Sequence, residues 1–232
     1  MHQTLIDPTW TVGRIAAEYP ETVNVFLNHN LDFCCGGNRA LHNACVEANL
    51  TTEELTGELQ AAIDGDSDTE EINWTTRSTD ELISHIVDKY HKPLREVLPQ
   101  LMILAQRVEE AHGPTHGPSL TQLRESVQAL RADLLRHLDD EEQRLFPLIL
   151  EGRSAEVPET VEQLVRDHND VALVLNQIRE LTSDFQLPDD ACNTWRAFWW
   201  NLETLEKELK KHIHLENNVL FPSALAKERR AS

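Results

Sequence analysis

The sequence predicts an all-α protein, an up-down-up-down four-helix bundle preceded by a small helical domain. Three observations carry that expectation. Apolar residues recur at alternating steps of three and four along four long segments. Gly- and Pro-rich stretches separate those segments, at Gly113-Pro114 and Gly117-Pro118, at Gly152 to Pro158 and at Leu187-Pro188. The pattern H-x3-E-x3-L-F-P occurs twice, from His137 to Pro147 and again seventy-five residues later from His212 to Pro222. The C-terminal two-thirds is therefore an internal duplication.

Residues 1–63 read as a small domain of short helices, Val12 to Glu18, Pro20 to Asn28, about Arg39 to Ala48, and Thr52 to Ile63. The segment Cys34-Cys35-Gly36-Gly37 is the turn between the second and third of these. Residues 64–76 are polar and acidic, as suits a linker, and residues 77–232 form the bundle. Its first stripe runs Val87, His91, Leu94, Leu98, Leu101, Ala105, Val108, after a capping box at Ser78 and Glu81. The second runs Leu120, Leu123, Val127, Leu130, Leu134, His137, Glu141, with a box at Ser119 and Gln122. The third is Val161, Leu164, His168, Val171, Leu175, Ile178, and the fourth Trp195, Phe198, Leu202, Leu205, Leu209, His212, Glu216. Short breaks between such stripes give antiparallel neighbours.

The chain has 232 residues and a formal charge of -19, from 40 acidic and 21 basic side chains. That charge opposes binding to nucleic acid or anionic lipid. No apolar run approaches the roughly 20 residues that span a bilayer, and the N-terminus leads into no signal-peptide core. A cytoplasmic protein, monomer or homodimer, is expected. The cysteines do not form the spaced framework of a secreted scaffold.

In each motif copy the histidine and glutamate lie four residues apart, on one helix face and about 6 Å apart along the axis. His91 precedes His137 by forty-six residues and His168 precedes His212 by forty-four, so each copy has an upstream partner histidine. The half-sites are His91/His137/Glu141 and His168/His212/Glu216. All six side chains fall on core-facing stripes, where an unpaired ionised carboxylate costs several kcal/mol. A solvated face therefore does not account for Glu141 and Glu216; histidine-glutamate pairs hydrogen-bonded in the core, or a metal site, do. Four imidazoles and two carboxylates suit two ions bridged by the glutamates. Iron or manganese fits this ligation, and zinc or copper is chemically allowed.

The other histidines sort by the same geometry. His85 lies round the helix from the stripe and is expected at the surface, and His214 faces the side opposite His212. His112 is roughly 30 Å from His91 along a continuous helix, outside the ligand set unless the helix breaks, and His116 is further. Tyr90 is a core-edge residue or a hydrogen-bonding neighbour of a ligand. Trp195, Trp199 and Trp200 read as core, the acidic runs Asp68 to Glu71 and Asp139 to Glu142 as solvated apart from Glu141, and Cys45 and Cys192 as packing residues. The adjacent Cys34 and Cys35 are two small packing residues, a strained disulfide, a thiophilic metal site or reactive thiolates, with glycines that let the backbone approach a partner.

The block Leu31-Asp32-Phe33-Cys34-Cys35-Gly36-Gly37 together with the duplicated H-x3-E-x3-L-F-P bundle resembles the repair-of-iron-centres family, also called ScdA- or YtfE-type, over nearly the whole chain. Tyr90-His91, Asp167-His168 and Leu215 to Pro222 look like that family's hemerythrin-like ligand segments. The resemblance implies a hemerythrin-like bundle with a non-haem di-iron centre of two irons per chain, held by His91, His137, Glu141, His168, His212 and Glu216. It further implies repair of iron-sulfur clusters damaged by nitric oxide or oxidants, with damaged iron-sulfur proteins as iron acceptors and a redox or transfer role for Cys34 and Cys35. Oxygen-carrying hemerythrins have another histidine one turn after the third-helix ligand, where this chain has Ala172. Fewer protein ligands favour exchangeable iron or bound nitric oxide over oxygen carriage. Donation of labile iron is the expected function. A di-iron nitric oxide reductase is the alternative, and an oxygen or nitric oxide sensor a more distant one.

Overall fold

The computed structural model describes residues 6–65, 72–152 and 154–231. Its regular elements are all helices, and the only strand-like contact among the described residues is a bridge between Thr11 and Ala40. No helix among them is long and apolar enough to cross a membrane. Two compact units are present, residues 1–83 with 210–232, and residues 84–209.

The first unit contains α1 (Val12–Glu18), α2 (Val23–Asn28), α3 (Leu41–Glu47) and α4 (Thr52–Asp64). Thr11 caps α1 by accepting the Arg14 N–H at 3.3 Å. Helices α2 and α3 end alike: Asn30 and Asn49 take positive φ of 51° and 55°, and Leu31 and Leu50 donate back to the Phe26 and Cys45 carbonyls. Asparagine tolerates that left-handed residue after a helix, and the returning bond satisfies an orphan carbonyl. The first of these stops aims the chain into Asp32-Phe33-Cys34. Val12, Ile15, Phe26, Phe33, Leu41, Cys45, Leu55 and Leu59 form the core here. Of the expected linker, residues 66–71, with the acidic run Asp68 to Glu71, lie outside the described residues; Asp64 closes α4 and Trp74–Thr76 form a 3-10 turn.

The expected box at Ser78 opens α5 (Thr79–Ile86), with the Glu81 N–H donating to Ser78 Oγ at 3.2 Å and the Ser78 N–H to Glu81 Oε2 at 3.0 Å. The second unit continues with α6 (Lys92–Asp140), α7 (Phe146–Leu150), α8 (Val157–Leu181) and α9 (Asn193–Leu215), of which the last four-residue turn and more belongs to the first unit. The Gly-Pro stretch was expected to break the helix between the first two stripes. Instead the backbone stays helical from Lys92 to Asp140, with Pro114 and Pro118 inside. The chain nevertheless reverses there. On a straight helix Glu109 and Thr121 would lie about 18 Å apart along the axis, yet Thr121 Oγ1 donates to Glu109 at 2.6 Å. Arg95 reaches Asp139 and His91 reaches Glu142, so the two halves of α6 run antiparallel. Two prolines that lack N–H donors and crowd the carbonyls four residues back bend the chain without ending its helical turns. The Ser119 box does not form, because Ser119 lies within that helical backbone and donates to the His116 carbonyl. Helices α8 and α9 are antiparallel as well, with Arg179 bonded to Glu206 and the Trp199 Nε1–H to the Gln186 carbonyl. The apolar stripe residues from Leu94 to Val108, Leu120 to Leu134, Val161 to Ile178 and Trp195 to Leu209 are all buried. Trp200 is the correction: it is 66% exposed, while Trp195 and Trp199 are core.

Three helical turns are widened by one residue, Val87–His91, Glu141–Leu145 and Glu216–Leu220. In each, the next N–H bonds five residues back: Lys92 to Val87, Phe146 to Glu141 and Phe221 to Glu216. The residue after that is proline every time, Pro93, Pro147 and Pro222. A proline ring clashes with the carbonyl four residues earlier, and a π-turn moves that carbonyl away. The Leu-Phe-Pro ending thus shapes the turn that carries each glutamate. The last of these turns leads into α10 (Phe221–Ala231).

Within the first unit, the Asn218 carboxamide donates to the Phe33 and Cys34 carbonyls, each at 3.2 Å, and Asn217 to Cys34 at 3.3 Å. Asn218 also fills the space that a side chain at Gly13 or Gly37 would need. A methyl at Gly37 meets Asn218 and the Phe33 carbonyl at 2.8 Å. Gly37→Ala should therefore destabilise the protein by about 1–3 kcal/mol, measured by urea unfolding. Adding Asn218→Ala should recover only part of the loss, since the Phe33 clash persists.

Candidate metal centre

His91, His137, Glu141 and His168 are brought together in the second unit, all buried, with Glu141 at 0% exposure. The end of one π-turn supplies His91, the last turn of α6 His137, the start of the next π-turn Glu141, and the middle of α8 His168. Glu141 Oε2 lies 3.5 Å from His91 Nε2 and 3.4 Å from His137 Nε2. His137 Nε2 and His168 Nε2 are 2.9 Å apart. Two donors bound to one ion at roughly 2.1 Å, at angles between 90° and 109°, sit roughly 3.0–3.4 Å apart. These spacings match donors that share a cation.

Protonation at His91 points the same way. Its Nδ1 lies 2.9 Å from Glu142 Oε1, and an ionised carboxylate only accepts, so the ring donates its Nδ1 proton. With that proton on Nδ1, Nε2 is the nitrogen left to offer a lone pair, and it is the atom that faces the Glu141 carboxylate. A cation between the two satisfies both, and the donor set fits a metal. In the first unit the second motif repeats the arrangement: His212 Nε2 is 2.7 Å from Glu216 Oε1, with exposures of 1% and 0%.

Sequence reasoning missed the carboxylates behind the imidazoles. Glu142, expected to be solvated, holds His91 and is itself held by Arg95 Nη2 at 3.2 Å, which also binds Asp139 at 2.7 Å. Asp167 Oδ2 lies 3.7 Å from His137 Nδ1, and the contact with His137 holds the Asp167 carboxyl below the usual range. Such outer carboxylates fix the tautomer of a ligand histidine and raise its basicity. A glutamate following a ligand glutamate was the available signal, hidden in an acidic run.

Cys34 is buried and Cys35 half-buried, with sulfurs 3.9 Å apart and no disulfide. Asp32 accepts the Cys35 and Gly36 N–H groups at 3.0 and 2.9 Å and the Cys34 thiol at 3.4 Å. Ligand atoms of Asp32, Cys34 and Cys35 all lie within 4.8 Å of one another. The hydrogen bond with Cys35 and burial push the Cys34 thiol well above its ordinary pKa. Cys34 is thus a protonated thiol at neutral pH. The asparagines that grip its carbonyl, Asn217 and Asn218, directly follow Glu216.

The remaining histidines are placed as follows. His85 is half-buried edge-on to Tyr90, where the surface was expected, and Tyr90 is buried. His214 faces away from His212 and packs on Phe33, 5.3 Å between centroids; burial pushes its pKa down to about 4 and keeps it neutral. His112 and His116 flank Trp195, at 4.6 and 5.0 Å, and His116 pairs with Asp190. Cys45 is core, as expected of a packing residue, but Cys192 is exposed. It precedes α9 and its sulfur takes hydrogen bonds from His112 and from the Trp195 and Thr194 N–H groups, which lower its pKa to about 7.

Residues 82–224 match the family model described as the Hemerythrin HHE cation binding domain, and residues 9–63 match ScdA_N, described as a domain of unknown function. The chain is 36% identical over 220 residues to the protein named iron-sulfur cluster repair protein YtfE of Yersinia pseudotuberculosis serotype IB (strain PB1/+), covering 94% of this chain and 97% of that one. The same figures hold for its namesakes in Yersinia pestis strains Pestoides F and Angola.

The setting of Cys192 yields a measurable outcome. A thiol with a depressed pKa is reactive as thiolate above about pH 7, so alkylation by iodoacetamide should label Cys192 first, with its rate rising through that pH. His112→Ala should move the rise to higher pH. Peptide mapping of the labelled protein against pH measures both.

Proposed function

The chain belongs to the iron-sulfur cluster repair proteins that carry a hemerythrin HHE cation binding domain, and on that premise we propose that it holds two labile non-haem irons and donates iron to damaged iron-sulfur proteins. In this reading His91, His137, Glu141, His168, His212 and Glu216 are the ligands and the two glutamates are the bridges. The observation that carries it is the duplicated buried histidine-glutamate pair, each glutamate on a proline-widened turn. Core burial of two carboxylates is sustained when cations neutralise them. Bound iron supplies both the transferable ion and open coordination positions for a small ligand such as nitric oxide or oxygen.

The protein's own groups have separable parts in this function. Glu142 and Asp167 hold the Nδ1 sides of His91 and His137, so that the Nε2 atoms face inward. The aliphatic stripes on either side exclude water. Ala172, one turn beyond His168, offers no donor, which leaves the iron more exchangeable than in an oxygen carrier. Cys34 and Cys35 serve contact with the acceptor or a redox step, at a turn tied through Asn217 and Asn218 to the Glu216 segment. The reducing cytoplasm is the compartment that suits free thiols and ferrous iron, and the charge of -19 disfavours nucleic acid. Ala172 equally favours nitric oxide reduction at the same irons as the second reading.

Purified protein should contain close to two irons per chain, and His137→Ala or Glu216→Ala should lower that content sharply. Retention of both irons after loss of Glu141 and Glu216 together would refute the ligand set. In anaerobic assays the protein should restore the cluster of an oxidised or nitrosylated iron-sulfur protein; nitrous oxide formed from nitric oxide without such transfer would favour the reductase reading instead.

A second outcome concerns the thiols. The double change Cys34→Ser with Cys35→Ser should leave the iron content intact and slow cluster repair, whereas Cys45→Ser should do neither. Repair at the parental rate by the double variant would make the pair structural.

A further inference from the structure

The turn that follows α2 gathers three donors outside the six proposed iron ligands. Cys34 Sγ lies 3.9 Å from Cys35 Sγ and 3.4 Å from Asp32 Oδ1, and ligand atoms of all three residues fall within 4.8 Å of one another. Two thiolates bound tetrahedrally to one zinc ion at about 2.3 Å sit roughly 3.8 Å apart, and a carboxylate oxygen at about 2.0 Å sits roughly 3.5 Å from either sulfur. Both defined edges of the triangle match three corners of such a site. The turn is also held in place without the thiols. Asn217 and Asn218 donate to the Cys34 carbonyl and Asn218 to that of Phe33, while Asp32 accepts the Cys35 N–H on Oδ1 and the Gly36 N–H on Oδ2. A carboxylate oxygen has two lone pairs, and the second on Oδ1 takes the Cys34 thiol proton. A cation in place of that proton uses the same lone pair, so no backbone bond has to break.

We propose that Asp32, Cys34 and Cys35 form a separate cation site for one thiophilic divalent ion, with zinc the reference ion and the fourth position left to water or to a donor from a partner protein. The site shares no residue with the histidine-glutamate ligands, so it stands or falls independently of the two-iron reading, and it gives the cysteine pair a more specific chemistry than the contact or redox step above. Thiolates suit zinc, and zinc outranks ferrous iron at mixed oxygen and sulfur sites. On binding, the thiol protons of Cys34 and Cys35 pass to solvent and no electron moves. Two thiolates and a carboxylate exceed a divalent ion by one negative charge. The Arg39 guanidinium, 3.7 Å from Asp32 Oδ2 and paired also with Glu47, offsets part of that excess. Cys34 is buried but Asp32 and Cys35 are half-buried, so the ion is reached from solvent and exchanges.

The test titrates the full iron-loaded chain anaerobically with cobalt(II), whose thiolate complexes absorb by charge transfer in the near ultraviolet. One cobalt should bind per chain with that absorption and with the iron content unchanged, and added zinc should erase the band by displacement. Cys34→Ser and Cys35→Ser should each abolish it. Asp32→Asn, which keeps an oxygen for one of the two N–H groups, should shift the titration midpoint to higher cobalt. Cys45→Ser and Cys192→Ser should leave the band intact, the latter setting aside the exposed thiol near His112. A measurement on the parent chain guards against variants that fold poorly: zinc should slow maleimide labelling of Cys35 and leave that of Cys192 unchanged. No thiolate band, a band that survives both serine changes at the pair, one lost with Cys192→Ser, one that forms only as iron leaves, an unmoved midpoint in Asp32→Asn, or unprotected Cys35 would each overturn the proposal. The iron content measured before cobalt is added tests the two-iron reading by itself.

Discussion

A glutamate with no exposed surface, in the middle of an apolar helical core, occurs twice in this protein, at positions 141 and 216. Few placements are less favourable for a lone anion, since removing a carboxylate from water costs several kcal/mol unless charge and hydrogen bonds compensate it. Much of the surrounding arrangement answers that constraint. Imidazole nitrogens lie within 3.5 Å of Glu141 and within 2.7 Å of Glu216. The proton on His91 is drawn to the far side of its ring by a second carboxylate, which an arginine steadies in turn. Carboxylate and nitrogen groups therefore alternate outward from Glu141, through His91, Glu142 and Arg95, to the exposed Asp139.

The helices had to be adapted to carry these side chains. A regular α-helix keeps a residue on its face for only a few turns, and a π-turn resets the register by a fraction of a turn. Placing proline two residues beyond each wide turn makes the reset part of the sequence, because the ring disfavours the tighter alternative. The same device occurs at His91, where no Leu-Phe-Pro motif is present and Lys92-Pro93 does the work.

The helices and their inward faces were legible in the sequence because burial imposes a period: each apolar residue of the four stripes from Leu94 to Leu209 is buried. The six ligand-type residues were readable as the places where that period is kept by a histidine or glutamate. What periodicity does not encode was missed. Glu142 lies one residue off the stripe, and only the antiparallel return of α6 brings it to His91. The reversal at Gly113 to Pro118 was legible as a turn but not as a turn with helical backbone, since proline and glycine disfavour helix locally while packing on either side sustains it. Cys192 has no local motif because its partner, His112, is eighty residues earlier. Asn217 and Asn218 looked like filler in a motif, yet they grip the Cys34 turn.

The Asn218 carboxamide occupies the volume denied to side chains at Gly13 and Gly37. Three positions far apart in the chain are thereby reduced to one steric unit, in which an amide is present and two methyl groups are excluded. Relatives that keep asparagine at 218 should keep both glycines, and those that shorten it relieve only the side-chain part of the crowding, because a methyl at 13 still meets the Gly37 carbonyl at 2.9 Å. The vicinal-cysteine turn would then diversify in step with the segment that follows the second motif's glutamate, and the two stretches would show paired substitutions in descent although more than 180 residues separate them.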